Sequence, residues 1–138
     1  MTDYLQQLVA AYPCIQEVWL FGSRANGTPK LASDWDFLVW SDDDRLLSRL
    51  CQDDRFHRTG FDLFVVVDRR AAQPWPAHDG QHKQFWLDHS PGGFHWRKVG
   101  PTEARYLETK DRSRGSFATD CRERIARRVD PRPGGSSA

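Results

Sequence analysis

Two aspartates beside and inside an apolar strand constrain this chain more than any other feature of its sequence. The strand Trp35–Trp40 reads WDFLVW, and Asp34 stands directly before it. Because side chains alternate across a strand, Asp34, Asp36 and Leu38 share one face. Two carboxylates about 7 Å apart on one strand face repel each other, and burial against a core adds a desolvation penalty. The pattern therefore predicts a compensating group, and a hard cation such as Mg²⁺ supplies it.

A later strand carries the same anomaly. In GFDLFVVVD, Asp62 interrupts the apolar run of Phe61–Val67. If this strand lies beside the first, Asp62 completes a cluster of three carboxylates. Such a cluster can hold two metal ions about 3.5–4 Å apart, the arrangement used for in-line phosphoryl and nucleotidyl transfer. Taken singly, Asp34 also fits a strand-start residue and Asp62 a strand-edge acid, so the prediction depends on their combination.

The turn before these strands suits an anion. Gly22-Ser23 ends an apolar strand, and glycine lets a phosphate approach the backbone closely. The N–H groups of a helical turn, together with the Ser23 hydroxyl, favour phosphate binding, and Arg24 can add a bidentate contact. An ordinary turn followed by a surface arginine is the alternative interpretation of these three residues.

The spacing of apolar residues predicts an α/β (α+β) fold, a mixed β-sheet with helices packed against it. The predicted elements are a helix over 3–12 with Thr2 as its N-cap, strands over 15–21, 35–40 and 61–67, and a second helix that Ser41 or Asp42 caps. The second half gives weaker signals: a hairpin turning at 90–93, a short helix over 102–107, and a solvated helix end at 122–128. We therefore expect one domain over residues 1–112 and a tail over 113–138 that is partly helical and then disordered.

Composition excludes several classes. A formal charge of +1 gives no global field for a nucleic acid or a membrane, so a nucleic-acid partner is not indicated. Three separated cysteines, Cys14, Cys51 and Cys121, fit reduced thiols in a cytoplasmic protein better than a disulfide framework or a zinc site. No apolar run approaches the ~20 residues needed to span a bilayer, and the first residues make a poor signal peptide.

Together the segments FGSRANG, SDWDFLV and FDLFVV resemble the DNA polymerase β-like nucleotidyltransferase superfamily, and within it the minimal, MNT-type branch. The resemblance covers roughly residues 3–67. It implies a polymerase β-like nucleotidyltransferase fold and three triphosphate-binding residues, namely Gly22, Ser23 and Arg24. It also implies three metal-binding, catalytic carboxylates, namely Asp34, Asp36 and Asp62. Trp35 departs from the family pattern, which expects Ile, Val or Tyr there.

The implied reaction moves a nucleoside monophosphate, AMP being favoured, from a nucleoside triphosphate to an acceptor hydroxyl. Its cofactor would be two Mg²⁺ ions, with Mn²⁺ as a substitute. Minimal relatives are typically paired with a small helical HEPN-type protein, so the resemblance implies an antitoxin that adenylylates such a partner. Two alternatives stay open: a catalytically silent nucleotide-binding or interaction module, and a transferase acting on a small molecule such as an aminoglycoside.

Overall fold

The computed structural model describes residues 2–27, 34–76, 83–87, 94–108 and 122–131. The helices are α1 (Thr2–Ala11) and α2 (Leu46–Cys51), followed by a 3₁₀ turn (Asp54–Phe56). The strands are β1 (Ile15–Phe21), β2 (Trp35–Ser41), β3 (Phe61–Val67), β4 (Arg70–Ala72), β5 (Gln84–Trp86), β6 (Arg97–Lys98), β7 (Glu103–Glu108) and β8 (Arg122–Val129). No helix in these ranges is long and apolar enough to cross a membrane.

All of these strands belong to one mixed sheet with the order β5-β4-β3-β2-β1-β8-β7-β6. β2 and β3 run parallel, and the remaining neighbours are antiparallel. The two outer regions of the sheet also meet, because Phe94 N–H donates to Trp86 O and Trp96 N–H donates to Leu87 O. The sheet therefore curls around its second face and encloses it.

Both faces of the sheet carry a core. On the first, side chains of α1 and α2 pack against Phe37, Val39, Leu63 and Val65. On the second, an aromatic cluster forms around Trp19, whose side chain is fully buried. Phe94 lies in this cluster between Phe85 and Tyr106, with ring centroids 4.0 and 5.4 Å away. Helices thus cover one face and the curled sheet itself covers the other.

The predictions for the first half are confirmed in substance. α1 and the three strands begin and end within a residue or two of the predicted positions. Pro13 is the second residue after the end of α1. The cap of the second helix was predicted wrongly. α2 begins at Leu46, and its N-cap residue, Arg45, makes no side-chain capping bond. The Ser41 hydroxyl and the Asp43 carboxylate instead accept N–H groups within the preceding turn.

Two helical predictions for the second half are wrong. Residues 103–108 form β7, in which Ala104 and Tyr106 are buried while Glu103, Arg105 and Leu107 are partly exposed. Residues 122–129 form β8, which pairs with both β1 and β7 and therefore lies inside the sheet. Tertiary pairing overrides the helix propensity of Ala and Arg in β8, since Ala126 packs in the aromatic core.

The architecture is α+β and strand-rich. Its parallel β2–β3 pair lies at the centre, and the chain segments entering these two strands come together at one end of the sheet. The Gly-Ser turn leaves β1 at that same end, because β1 runs antiparallel to β2 and Phe21 pairs with Asp36. The candidate site is at this end.

Candidate active site

The three predicted carboxylates meet at the start of the parallel pair. The β2–β3 register places Asp36 directly opposite Asp62. Asp34 precedes β2, and the Trp35 N–H donates to Gly60 O at 2.8 Å, which extends the pairing to the segment before β3. The carboxyl groups of Asp36 and Asp34 each lie within hydrogen-bonding reach of Asp62.

Burial and mutual repulsion act on this cluster together. Burial is the main cause that raises the pKa of Asp36, to about 7, and the neighbouring Asp62 charge raises it further. The pKa of Asp62 is raised for the same reasons, by burial first and then by the charge of Asp34. Lys83 opposes both shifts. Both shifts show that the full negative charge of the cluster is uncompensated by the described residues.

The donor chemistry of the cluster fits a hard divalent cation, since carboxylate oxygens are the ligands that Mg²⁺ and Mn²⁺ accept. Within the described ranges, however, no group of three or more His, Cys, Asp or Glu side chains is arranged so that it could hold a metal ion. The contacts instead run pairwise through Asp62. The fit to a metal thus rests on residue chemistry and on the uncompensated charge.

The Gly-Ser turn packs directly on Asp36. Gly22 has a φ of +75°, a conformation that L side chains rarely adopt, and a Cβ at this position would overlap Asp36 Oδ2. Two successive turn hydrogen bonds follow, from Ala25 N–H to Gly22 O and from Asn26 N–H to Ser23 O. The predicted helical turn is present, and only glycine fits at its start.

Two residues that the sequence analysis missed fix this turn. The Gly22 N–H donates to the Tyr106 hydroxyl at 2.9 Å in a buried hydrogen bond, so this N–H is already engaged. The Asn26 side chain donates to Gly22 O at 2.7 Å and to Ile125 O at 3.0 Å, and it accepts the Ile125 N–H at 2.8 Å. Strands β7 and β8 therefore hold the turn beside the carboxylates.

Arg24 and Ser23 lie on the rim of the turn. The Arg24 guanidinium carbon lies 4.6 Å from the ring centroid of Trp35, a cation–π distance. Trp35 is half-buried and its ring also contacts the helical core. This contact gives Trp35, unusual for the motif, a physical role, because it holds Arg24 at the start of β2. Ser23 is half-buried beside it.

A pocket of about 440 Å³ opens on the other side of Asp62. Asp34 and Asp62 line it together with Gln73, Lys83, Arg58 and His57. Across the sheet, the order is therefore the Gly-Ser turn after β1, the carboxylates of β2 and β3, and then this pocket. The arrangement offers room beside Asp34 and Asp62.

Comparison with protein families agrees with this geometry. Residues 3–75 match the family model described as polymerase beta, nucleotidyltransferase. The match covers more than half of the chain and includes the turn, all three aspartates and Gln73.

The chain belongs to the polymerase β nucleotidyltransferase family. This confirms the superfamily that the motifs indicated, and it supports nucleotidyltransferase activity in general. A search of curated proteins found no matching relative. Tyr106 and Ile125, which hold the turn of this nucleotidyltransferase domain, lie beyond the matched segment.

The sequence carried little signal for the missed residues. Asn26 reads as a turn residue beside Gly27, and Tyr106 reads as one apolar position among several. Gln73 follows β4 in a loop, where a glutamine carries no signal for a functional role. Their contacts join residues 11, 84 and 99 positions apart, so only the fold brings each pair together.

Proposed function

We propose that this protein is a metal-dependent nucleotidyltransferase that moves a nucleoside monophosphate from a nucleoside triphosphate to an acceptor hydroxyl. The observation that carries the proposal is the packing of Gly22 against Asp36, with Asp62 on the adjoining parallel strand. A phosphate-binding turn and an acidic cluster in contact are what nucleotidyl transfer requires.

In this proposal Gly22, Ser23 and Arg24 bind the triphosphate. Because the Gly22 N–H is engaged with Tyr106, we assign to Gly22 the close approach of the phosphate to the backbone. Hydrogen bonds to the phosphates come from Ser23 and Arg24. The Arg24 guanidinium, held on Trp35, faces a triphosphate with limited loss of side-chain freedom.

In this proposal Asp34, Asp36 and Asp62 hold two Mg²⁺ ions, for which Mn²⁺ can substitute. When bound, the metal supplies charge neutralisation at the phosphates and Lewis acidity at the transferred group. Asp62, on the pocket side, orients the acceptor hydroxyl and takes up its proton. The acceptor oxygen forms a bond to the α-phosphorus, the bond from that phosphorus to the bridging oxygen breaks, and pyrophosphate leaves with the electron pair.

The finer assignments follow the resemblance to minimal nucleotidyltransferases. We propose ATP as the donor and the hydroxyl of a small helical HEPN-type protein as the acceptor, in a cytoplasmic toxin–antitoxin pair. The presence of all three carboxylates supports an enzyme over a silent binding module, because the loss of one would abolish metal binding.

Calorimetric titration with ATP, CTP, GTP and UTP, each with Mg²⁺, tests the proposal. We expect wild type to bind one or more triphosphates, and the Asp34→Ala/Asp36→Ala variant to lose this binding. The matched control is Asp42→Ala/Asp44→Ala, which removes two exposed acids with the same spacing outside the cluster. Equal binding by wild type and both double variants would contradict the proposed site.

Mass spectrometry tests the acceptor. A HEPN-type partner encoded beside this protein should gain the mass of one or more AMP groups when ATP and Mg²⁺ are present. A partner that co-purifies and remains unmodified by the wild-type protein would overturn the toxin–antitoxin assignment and leave nucleotidyl transfer to another acceptor.

A further inference from the structure

Lys83 approaches the acidic cluster from the side opposite the Gly-Ser turn. Its backbone continues the antiparallel pairing of β4 with β5, because the Gln73 N–H donates to Lys83 O at 3.0 Å. The Gln73 side chain in turn donates from Nε2 to Asp62 Oδ1 at 3.3 Å. Lys83 also lines the pocket that Asp34 and Asp62 line. The main chain therefore fixes the base of an exposed ammonium side chain beside Asp62.

The positive charge of Lys83 acts on two carboxylates at once. Burial raises the pKa of Asp36 and of Asp62, and the charge of Lys83 opposes the rise at both. Both pKa values nevertheless stay raised, so this cation offsets only part of the cost of gathering the carboxylates. Within the described ranges, no hydrogen bond or ion pair holds the Lys83 ammonium. Its long side chain can therefore turn towards a bound anion.

Arg58 lines the same pocket but is held by other contacts. Its Nη2 donates to Gln7 Oε1 at 2.8 Å, and its Nε donates to Arg55 O at 2.8 Å. Its guanidinium carbon lies 5.6 Å from the ring centroid of Tyr4. These contacts tie Arg58 to α1 and to the 3₁₀ turn. Of these two cations, Lys83 is therefore the one available to a ligand at the carboxylates.

The path of a triphosphate through the proposed site decides which phosphate Lys83 meets. The terminal phosphates lie at the turn after β1, and the transferred α-phosphate lies at Asp62 on β3. β4 and β5 come next in the strand order, so Lys83 lies beyond the α-phosphate and not beside the terminal pair. Three carboxylates and a triphosphate carry more negative charge than two divalent cations neutralise. A further cation at the α-phosphate is therefore favourable.

We propose that Lys83 is a catalytic residue whose ammonium donates to a non-bridging oxygen of the α-phosphate. This inference rests on the proposed function for the place of the triphosphate. Lys83 stabilises the negative charge on the α-phosphoryl oxygens while the acceptor oxygen bonds to phosphorus and pyrophosphate leaves. Arg24 and Lys83 then divide the triphosphate between them, Arg24 at the terminal phosphates and Lys83 at the transferred one. Lys83 lies beyond the segment matched by the family model, which therefore assigns it no role.

Calorimetric titration of the full chain with two probes, each with Mg²⁺, tests the proposal. The first probe, α,β-methylene-ATP, carries the α-phosphate and cannot release pyrophosphate. The second, pyrophosphate, stands for the terminal phosphates alone. We expect Lys83→Met to bind α,β-methylene-ATP about tenfold more weakly than wild type and to bind pyrophosphate equally well. Arg24→Met should weaken the binding of both probes.

Two further variants show that the effect comes from the charge at this position. Lys83→Arg keeps the charge and should recover most of the affinity for α,β-methylene-ATP. Lys98→Met is the matched control, because Lys98 is an exposed lysine that pairs with Glu17, near the other end of β1. Its affinity for both probes should equal that of wild type. If Lys83→Met does not fold, Lys83→Gln gives the same comparison.

Equal affinity of wild type and Lys83→Met for α,β-methylene-ATP would overturn the role of Lys83. An equal loss of affinity for both probes would also overturn it, because the contact would then not be specific to the α-phosphate. Failure of the proposed function is a different result, namely that wild type binds neither probe with Mg²⁺. The two failures are therefore told apart by the wild-type titrations.

Discussion

At the scale of single residues, the site is dominated by how closely a turn approaches a carboxylate. Gly22 and Gly27 both have positive φ, +75° and +70°, yet among the described residues only those around Gly22 place atoms where a Cβ would stand. Substitutions at these two glycines therefore separate the cost of a positive φ from the cost of steric overlap with Asp36.

We expect Gly22→Ala to destabilise the protein by about 2 kcal/mol more than Gly27→Ala does. Strain from positive φ, about 1–2 kcal/mol, is common to both variants, whereas overlap with Asp36 Oδ2 adds an overpacking penalty of about 1–3 kcal/mol in the first alone. Urea denaturation of both variants measures the difference. Equal losses would show that the turn does not pack against Asp36 in solution.

The carboxylate at position 36 makes the stability of the metal-free protein depend on pH. The folded pKa of about 7 lies above the unfolded value near 3.9, so between these pH values the folded state binds more protons than the unfolded state. The free energy of unfolding must therefore fall as the pH rises through this window.

In EDTA, we expect Asp36→Asn to stabilise the protein at pH 8 by about 1–3 kcal/mol relative to wild type, and by little or nothing at pH 4. The exposed variant Asp44→Asn should stay within about 0.5 kcal/mol of wild type at both values. Urea titrations at the two pH values provide the test. A larger increase in the free energy of unfolding for Asp36→Asn at pH 4 than at pH 8 would contradict the raised pKa of Asp36.

At the scale of secondary-structure elements, β7 and β8 support a site made from the first half of the chain. Tyr106 on β7 holds the Gly22 N–H, and Ile125 on β8 holds Asn26. A short motif thus depends on strands that follow it by about 80 to 100 residues.

Tyr106→Phe should lower stability by about 1–3 kcal/mol, because it leaves the buried Gly22 N–H unpaired, and it should also weaken triphosphate binding by loosening the turn. Tyr4→Phe is the matched control, since that hydroxyl makes a buried bond of 2.7 Å to Phe56 O in the helical core. We expect a comparable loss of stability there with unchanged triphosphate affinity. Thermal unfolding and calorimetry give the two readouts, and equal effects on affinity would contradict the role of Tyr106.

The sequence predicted the first five main elements and the position of each site aspartate because their signals are local. Pro13, Gly22 and the alternating pattern around Asp36 and Asp62 mark boundaries and faces directly. β7 and β8 lack such signals: Ala and Arg favour a helix, and the partners that make these segments strands are distant in the chain. The contacts of Tyr106, Asn26 and Gln73 were unpredictable for the same reason.

At the scale of the whole molecule, the acidic cluster lies at one end of a sheet that curls around its own aromatic core. β8 pairs with β1 on one side and with β7 on the other, so it joins the N-terminal half to β6 and β7. The part of the predicted tail over 122–129 is therefore a structural strand, whereas the boundary predicted at residue 112 stays a prediction.

A chain that ends at residue 112 lacks β8 and leaves one edge of β1 and one edge of β7 unpaired. We expect this chain to lose cooperative thermal unfolding, while a chain that ends at residue 131 retains it. Circular dichroism and calorimetry on the two truncations measure the difference. A cooperative transition in the shorter chain would show that residues 1–112 fold alone and that β8 is dispensable.

The most direct test of the central claim is paramagnetic broadening by Mn²⁺ in the presence of ATP, followed in the amide spectrum of the full chain. If Asp34, Asp36 and Asp62 hold metal and nucleotide, the signals of Gly22, Asp36 and Asp62 should disappear first. Those of Ile15 and Ser41, at the other end of β1 and β2 about 20 Å away, should persist. Broadening centred anywhere else, or unchanged broadening in Asp36→Ala, would contradict the account.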